Sequence, residues 1–594
     1  MNETYSFGAH VTAPNHTTFS LWAPNARTVD LVLPTGESAM ARDDAGFFHI
    51  ETTAPEGTTY RFKIDGEQTV PDPASRLQRD GVHGESIVTA PDDYPWQHTD
   101  WIGRPWHETV LYEIHPGVSG GYAGIESRLV ELKALGVTAI ELMPIADFPG
   151  ARNWGYDGVL PYAPTAAYGT PAELKHLIDA AHGLDMMVFL DVVYNHFGPD
   201  GNYLNVYASD FFDASKQTPW GPAIDFSQPA VRQFFAQNAL YWLSEFRFDG
   251  LRFDAVHAIM DQDWLPEMAA FVRSQVPAGR HVHLVLENED NNASHLENGF
   301  DAQWNDDAHH VLHHLLTDET RAYYADFSDD AAQKLARVLS SGFVYQNDPS
   351  PMRDGEMRGQ PSGHLPPTSF VLFLQNHDQI GNRAFGERLT ELTQDKPEAL
   401  RCAIALQLLT PHIPLLFMGE ERGVTTPFLY FTSHNDPDLV QAIRDGRKRE
   451  FAGFNDHADP ETIARLPDPN DEKTFESSRD VVNATDPAAA RFLSYYRLLL
   501  DLRRDRITPG LPGAEALGAE ALNRHSVVAR WRLGNQKELT LYANLGETDL
   551  VADHLADDYD PLAEVIFESR PGADAALRAA TLPAFSLVAL LKHD

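Results

Sequence analysis

The sequence predicts an α/β fold: a (β/α)8 TIM barrel with an N-terminal β-sandwich and a small C-terminal β-domain. Three observations carry that reading. The first ninety-odd residues are a series of short strand-like runs. From about Glu108, short apolar strands alternate with amphipathic helices until eight strands are counted. After the helical stretch AARFLSYYRLLLDLRRD, strands resume with little helix between them. The expected division is 1–95, 96–508 and 509–594.

In order, TTFSLWAP, TVDLVLP, FFHIETT and TTYRFKID are β-branched and aromatic runs broken by Pro, Gly, Asn and Asp turns, as in a small sandwich. VPDPASRLQRDGVHGES reads as an irregular connection. The barrel strands follow as VLYEIH, VTAIELMPI, MMVFLDVVYNH, FDGLRFDAV, VHLVLEN, FDAQW, SFVLFLQNHD and PLLFMGEE. Between them IESRLVELKALG, AELKHLIDAAHGL and VRQFFAQNALYWLSEF have helical periodicity, and this alternation marks parallel βαβ units. SVVARWRL, KELTLYANL, AEVIFES and FSLVALLKH make the last domain. No internal repeat or low-complexity segment occurs.

At 594 residues the chain exceeds one compact core and is expected to form about three or four domains. A hydrophobic fraction of 43% with 10% aromatics suits a well-packed globular protein. The net charge of −40, from 86 Asp and Glu against 46 Lys and Arg, argues against nucleic acid or anionic membrane as partners. Cys402, the single cysteine, excludes an internal disulfide framework and a Cys-based metal cluster. MNETYSFGAH lacks the basic and apolar regions of a secretory signal, and no apolar run approaches the roughly 20 residues of a membrane span. A cytoplasmic protein, monomer or homodimer, is expected.

In such a barrel the reacting groups lie at the C-terminal ends of the strands, where all eight converge on one mouth. Conspicuous polar residues follow the strands here: Asp191, Asn195 and His196 after the third, Arg252 and Asp254 at the fourth, Glu287 at the fifth, WNDDAHH after the sixth, and Asn376, His377 and Asp378 after the seventh. One Asp after a strand commonly caps the next helix; five successive strands ending this way need another explanation. Several carboxylates round one cavity suit glycosyl transfer, in which a retaining enzyme pairs a nucleophilic carboxylate with a carboxylic acid about 5 Å away. Adjacent strands, spaced roughly 5 Å, deliver that separation, and Asp254 and Glu287 end adjacent strands. Arg252 faces the same way as Asp254 and would keep it ionised, whereas Glu287, buried among acids, would hold a proton. Glu289 and Asp290 lie beyond the strand and receive no catalytic role. Asp191, Asn195 and His196 could supply part of a calcium site, and His309, His310, His313 and His314 a zinc site. No HExxH, P-loop or dinucleotide fingerprint occurs, and neither metal nor cofactor is expected.

DVVYNH, GLRFDAVH, LVLEN and FLQNHD, in this order and after these strands, resemble the four signature regions of the α-amylase superfamily, glycoside hydrolase family 13. ADFPGARNWGYDGVLPYAP, YNHFGPDGNYL, AQWNDDAHH, FLQNHDQIGNRAFGERL, GRKREFAGF and PDPNDEKTFESS are most similar to its trehalose-releasing branch, over nearly the whole chain. The resemblance implies a sandwich of carbohydrate-binding-module type. It implies maltooligosyltrehalose as substrate, cut at the α-1,4 bond next to its trehalose unit to leave trehalose and a shortened maltodextrin, in trehalose biosynthesis beside a maltooligosyltrehalose synthase. It makes Asp254 the nucleophile, Glu287 the general acid and then base, and Asp378 the stabiliser of an oxocarbenium-like transition state. His196, Arg252, His257 and His377 would line the same sugar site, with Tyr156 as a stacking face and Asp157 as a polar contact. Asn305, Asp306, Asp307, His309, Gln379 and Asn382 would bind neighbouring glucoses. Two loops depart from the pattern: IHPGVSGGYAGI is short, and GEERGVTTPFLYF has Arg422-Gly423 where an aromatic or acidic residue is expected. The alternatives are a glycogen branching or debranching enzyme of the same superfamily, and a non-catalytic glucan-binding protein, against which the presence of all three carboxylates speaks.

Overall fold

Eight short parallel strands close into a barrel at the centre of the chain. They are β1 (Leu111–Ile114), β2 (Ala139–Leu142), β3 (Met187–Val192), β4 (Gly250–Phe253), β5 (His283–Leu286), β6 (Ala302–Trp304), β7 (Phe370–Leu372) and β8 (Ile413–Phe417). These are the eight runs the sequence points to, in the same order. The computed structural model describes residues 6–90, 94–218, 220–454, 460–479 and 486–593. Met1–Tyr5, half of the stretch that argues against a secretory signal, lie outside them. Among the described residues no helix is long and apolar enough to cross a membrane.

Each barrel strand is buried along its whole length, which is why it reads as a near-continuous apolar run. Alternation sends Leu111, Ala139, Met187, Phe189, Val285, Ala302 and Val371 into one apolar layer. Two residues further along the same inward rows the chemistry changes to Glu113, Glu141, Asp191 and Arg252, with Glu113 opposite Glu141 and Asp191 opposite Arg252. Gly250, at the start of β4, is needed for packing: a Cβ there would lie 2.1 Å from the Phe189 ring. Past the strand ends the ladder runs on for one residue. The Asp254 N–H donates to Val192 O at 3.0 Å and the Glu287 N–H to Phe253 O at 2.9 Å. Asp254 and Glu287 are thereby fixed on neighbouring strands at the mouth.

The helix between β2 and β3 begins at a recognisable signal. Thr170 and Glu173 form a capping box at the start of the helix Pro171–Gly183, with Pro171 at its first position. Before the barrel, two sheets face each other: Gly8–Ala13, His16–Trp22, Phe47–Thr53 and Ala41–Arg42 in one, and Gly36–Ala39, Val29–Leu33, Thr59–Ile64, Glu85–Ile87 and Gln78–Arg79 in the other, where Gln68–Val70 also pairs. The stretch VPDPASRLQRDGVHGES, expected to be irregular, carries Gln78–Arg79 and part of Glu85–Ile87; strands of two or three residues leave no alternation to detect. After the barrel, a five-stranded sheet runs Glu515–Ala521, Ser526–Arg532, Glu538–Asn544, Ser586–Lys592, Glu564–Glu568. The first of these strands, half-exposed and alanine-rich, is invisible to a hydrophobic pattern. This sheet meets the barrel's insertion after β6, where Trp531 Nε1 donates to Leu339 O of the helix Ala331–Ser341 at 3.1 Å.

Candidate active site

At the mouth of the barrel one buried guanidinium organises the carboxylates. Arg252 Nη1 donates to Asp191 Oδ2 and to Asp254 Oδ1, each at 2.8 Å, and Nη2 lies 3.0 Å from Glu287 Oε2. The Trp304 ring beneath it stands 4.3 Å from the guanidinium carbon. Asp254 also accepts from Asn195 Nδ2 at 2.8 Å, and Asn195 Oδ1 bonds His196 Nδ1. Burial alone would raise the Asp254 carboxyl, but Arg252, His196 and Asn195 hold it below the ordinary value. Glu287 goes the other way. Burial pushes it up; Arg252 pulls it back, while Asp254 and Asp378 push it further up. Two acids bonded to one cation therefore sit on opposite sides of their usual range.

The turn after β4 contributes as well. Ala255 is held at φ 40°, a left-handed conformation unusual for alanine, and its N–H donates to Glu287 Oε2 at 2.8 Å. Strain at this residue aims a donor at the neighbouring acid.

Asp378 follows β7 as part of a short helix, His377–Gly381, capped by Asn376, whose side chain accepts from the N–H of Asp378. Asn382 Nδ2 donates to Asp378 Oδ1 at 2.8 Å. Burial raises the Asp378 carboxyl. In FLQNHD every residue is buried except this one; Glu287 in LVLEN, and Asp254 with His257 in GLRFDAVH, are likewise partly exposed. Asp254 and Asp378 both lie near enough to Glu287 to act on its charge.

His377 lies between Glu113, which bonds its Nδ1, and the Tyr156 hydroxyl, 2.9 Å from its Nε2. Tyr156 in turn donates to Asp191 Oδ2 at 2.6 Å and stacks on His377 with centroids 5.2 Å apart. Burial would lower His377, but Glu113 raises it above an ordinary histidine. His196 stacks at 4.7 Å on the exposed indole of Trp220. Asp157 accepts from Asn153 Nδ2 at 2.5 Å and pairs with His434 at 3.5 Å, so its carboxyl lies low despite burial. The Glu289 N–H points to His257 Nδ1 at 3.4 Å.

The stretch after β6 divides differently from the sequence expectation. The resemblance groups Asn305, Asp306, Asp307 and His309 as sugar contacts, but three of the four spend their polar atoms inside the protein. Asn305 caps the helix Asp306–Thr317 and donates to Gly342 O. Asp307 accepts from Asn291 Nδ2, Arg358 Nη2 and the N–H groups of Val344 and Tyr345. His309 bonds Leu374 O and the Tyr324 hydroxyl. Successive helical positions point about 100° apart, and only Asp306 is left half-exposed, 3.4 Å from Gln379 Nε2 and raised by burial and by Glu287 and Glu289. Most of the candidate metal ligands are engaged elsewhere: Asp191, Asn195, His196 and His309 as above, His313 with Glu319 and His314 with Glu319 O, while His310 packs against the rings of Tyr323 and Phe327. Among the described residues no cluster of three His, Cys, Asp or Glu suits a metal.

Sequence reasoning passed over Glu113, Glu141 and Trp220. The first two leave a signal, a single acid inside an apolar strand; for Trp220, a loop aromatic ordinarily read as packing, the signal is only its exposure.

Known proteins bear on this geometry. An alpha amylase catalytic domain model matches residues 94–220, carbohydrate-binding module 48 (isoamylase N-terminal domain) matches 6–81, and a domain of unknown function, DUF3459, matches 514–588. A crystal structure described as a putative alpha amylase from Salmonella typhimurium superposes with a TM-score of 0.91 at 40% identity, covering 99% of this chain and all of that one. The malto-oligosyltrehalose trehalohydrolases of Saccharolobus solfataricus and Deinococcus radiodurans are each 40% identical over 82% of this chain, and over 85% and 81% of their own lengths. The chain belongs to the malto-oligosyltrehalose trehalohydrolase family. As a trehalohydrolase-family chain it is a glycoside hydrolase of the α-amylase group, and its N-terminal sandwich is a module of the carbohydrate-binding kind.

Proposed function

We propose that this chain hydrolyses the α-1,4-glucosidic bond next to the trehalose unit of maltooligosyltrehalose, releasing trehalose and a shortened maltodextrin. The observation that carries the reading is the shared Arg252 guanidinium, with Asp254 held ionised and Glu287 pushed towards its protonated form. Asp254 attacks the anomeric carbon while Glu287 gives its proton to the departing glycosidic oxygen, so an ester forms as the bond to trehalose breaks. Glu287, now ionised, takes a proton from water; the water oxygen attacks the same carbon and frees Asp254. Asp378 supports the positive charge that develops on the sugar ring. Tyr156, His196, His377 and His257 border that ring, and Asp306, Gln379 and Asn382 reach the next one. The 40% identity across four fifths of the chain supports the choice of substrate. A synthase that builds the trehalose end would supply it, in the cytoplasm, to a monomer or homodimer.

The alternative is a branching enzyme; the 1,4-alpha-glucan branching enzyme GlgB of Corynebacterium jeikeium is 33% identical over 44% of this chain. The experiment offers maltooligosyltrehalose, amylose and glycogen separately. Trehalose release from the first, with no new α-1,6 branches in the second, is the expected result. New branches without trehalose would overturn the reading.

A further inference from the structure

We infer that Arg447 is a positioning residue for this hydrolysis: it fixes which end of the Asn382 amide faces Asp378. The inference rests on the proposed reaction and adds a residue to it. Arg447 belongs to the helix Pro437–Phe454, within the GRKREF stretch, 65 positions after Asn382. Its Nη1 donates to Asn382 Oδ1 at 3.3 Å, and its Nη2 to Gly381 O at 2.6 Å and to Arg383 O at 3.4 Å. The rings of Tyr430 and Phe451, 5.6 and 4.6 Å from the guanidinium carbon, fix its plane. On the far side of the same amide, Asn382 Nδ2 donates to Asp378 Oδ1 at 2.8 Å.

An asparagine amide has two ends of nearly equal shape and opposite polarity. With Oδ1 bound to a cation, the end left for Asp378 is the donor. Turned over, the amide would present an oxygen to the carboxylate and repel it. The flat fork of an arginine can hold Oδ1 and the two loop carbonyls together, which the single point charge of a lysine cannot. Arg447 touches no reacting atom; it acts through Asn382.

The test compares wild type with Arg447→Met, Arg447→Lys, Asn382→Ala and the Arg447→Met/Asn382→Ala double variant, across pH, on maltooligosyltrehalose. For R447M, kcat falls roughly tenfold while KM stays within about twofold. Its acid limb in kcat/KM moves up by about one pH unit, because a carboxylate that loses a donor is harder to ionise. Free guanidinium at a non-denaturing concentration restores part of the rate. N382A gives the same limb shift, and the double variant no more than either alone. A purely structural Arg447 would lower Tm and leave the limb and the coupling unmoved, and an unmoved limb or additive losses overturn the inference. Should R447M fail to fold, R447K and N382A decide it: unshifted limbs in both overturn it. If wild type releases no trehalose, the functional reading falls by itself, and the same shift is then sought on whichever α-glucan the enzyme cuts.

Discussion

Arg252 is 1% exposed and bonded to Asp191, Asp254 and Glu287, so removing it leaves one buried and two partly exposed carboxylates around an uncharged gap. Breaking a buried charge cluster in this way costs about 3–5 kcal/mol. Arg252→Met should lose that much stability in urea denaturation, and the acid limb of any activity that survives should move to higher pH, because Asp254 loses the cation that holds it down. In the intact protein, kcat/KM is expected to decline as pH drops through the raised Asp378 value, which lies above the lowered Asp254 one, and again as pH rises through the raised Glu287 value. Asp254→Asn and Glu287→Gln should each cost several orders of magnitude in kcat with the circular dichroism spectrum intact; near-normal turnover by either purified variant would sink the assignment. These two residues are legible in the sequence because position at a strand end is a sequence property. Trp220 and Arg447 are not, since what matters about them is which distant side chain they lie against.

Helix rotation separates Asp306 from Asp307, and a short motif cannot display it. Asp307 ties the helix Asp306–Thr317 to Arg358 and to two backbone N–H groups of the segment after Ser341, whereas Asp306 faces the mouth. Asp307→Asn should therefore lower Tm by several degrees with only a secondary loss of rate. Asp306→Asn should keep Tm and change KM or kcat; the opposite pattern would return Asp307 to the sugar site. Strand β1 offers a second test at this scale, since its Glu113 bonds His377 and raises it above an ordinary histidine. The folded value of His377 is raised, so the stability this pair gives is fully present below the unfolded histidine value of about 6.5 and is lost as pH rises through the folded one. The Tm gap between wild type and Glu113→Gln should narrow from pH 6 to alkaline pH. A constant gap would mean that His377 does not change charge.

Across the whole molecule the three layers of the sequence pattern, sandwich, barrel and terminal sheet, are all found, because each rests on alternation repeated over many residues. What escaped the sequence were strands of two or three residues and the seam between barrel and terminal sheet. One contact of that seam is a Trp531 side chain with no exposed surface, reaching a carbonyl 192 positions away. Trp531→Ala should cost about 3–5 kcal/mol through the cavity it leaves, with the pH profile of activity unchanged; a moved profile would mean that the terminal sheet communicates with the mouth.

The shared guanidinium also gives the site a way to reset itself. While Asp254 is free, its negative charge is one reason Glu287 clings to a proton. In the proposed mechanism Asp254 becomes a neutral sugar ester, which would remove that repulsion and leave Arg252 facing one fewer anion. Glu287 would then become a stronger acid at the moment the second half of the reaction asks it to be a base. Ester formation itself would switch the partner's proton affinity, and release of the sugar would switch it back, with no side chain having to move.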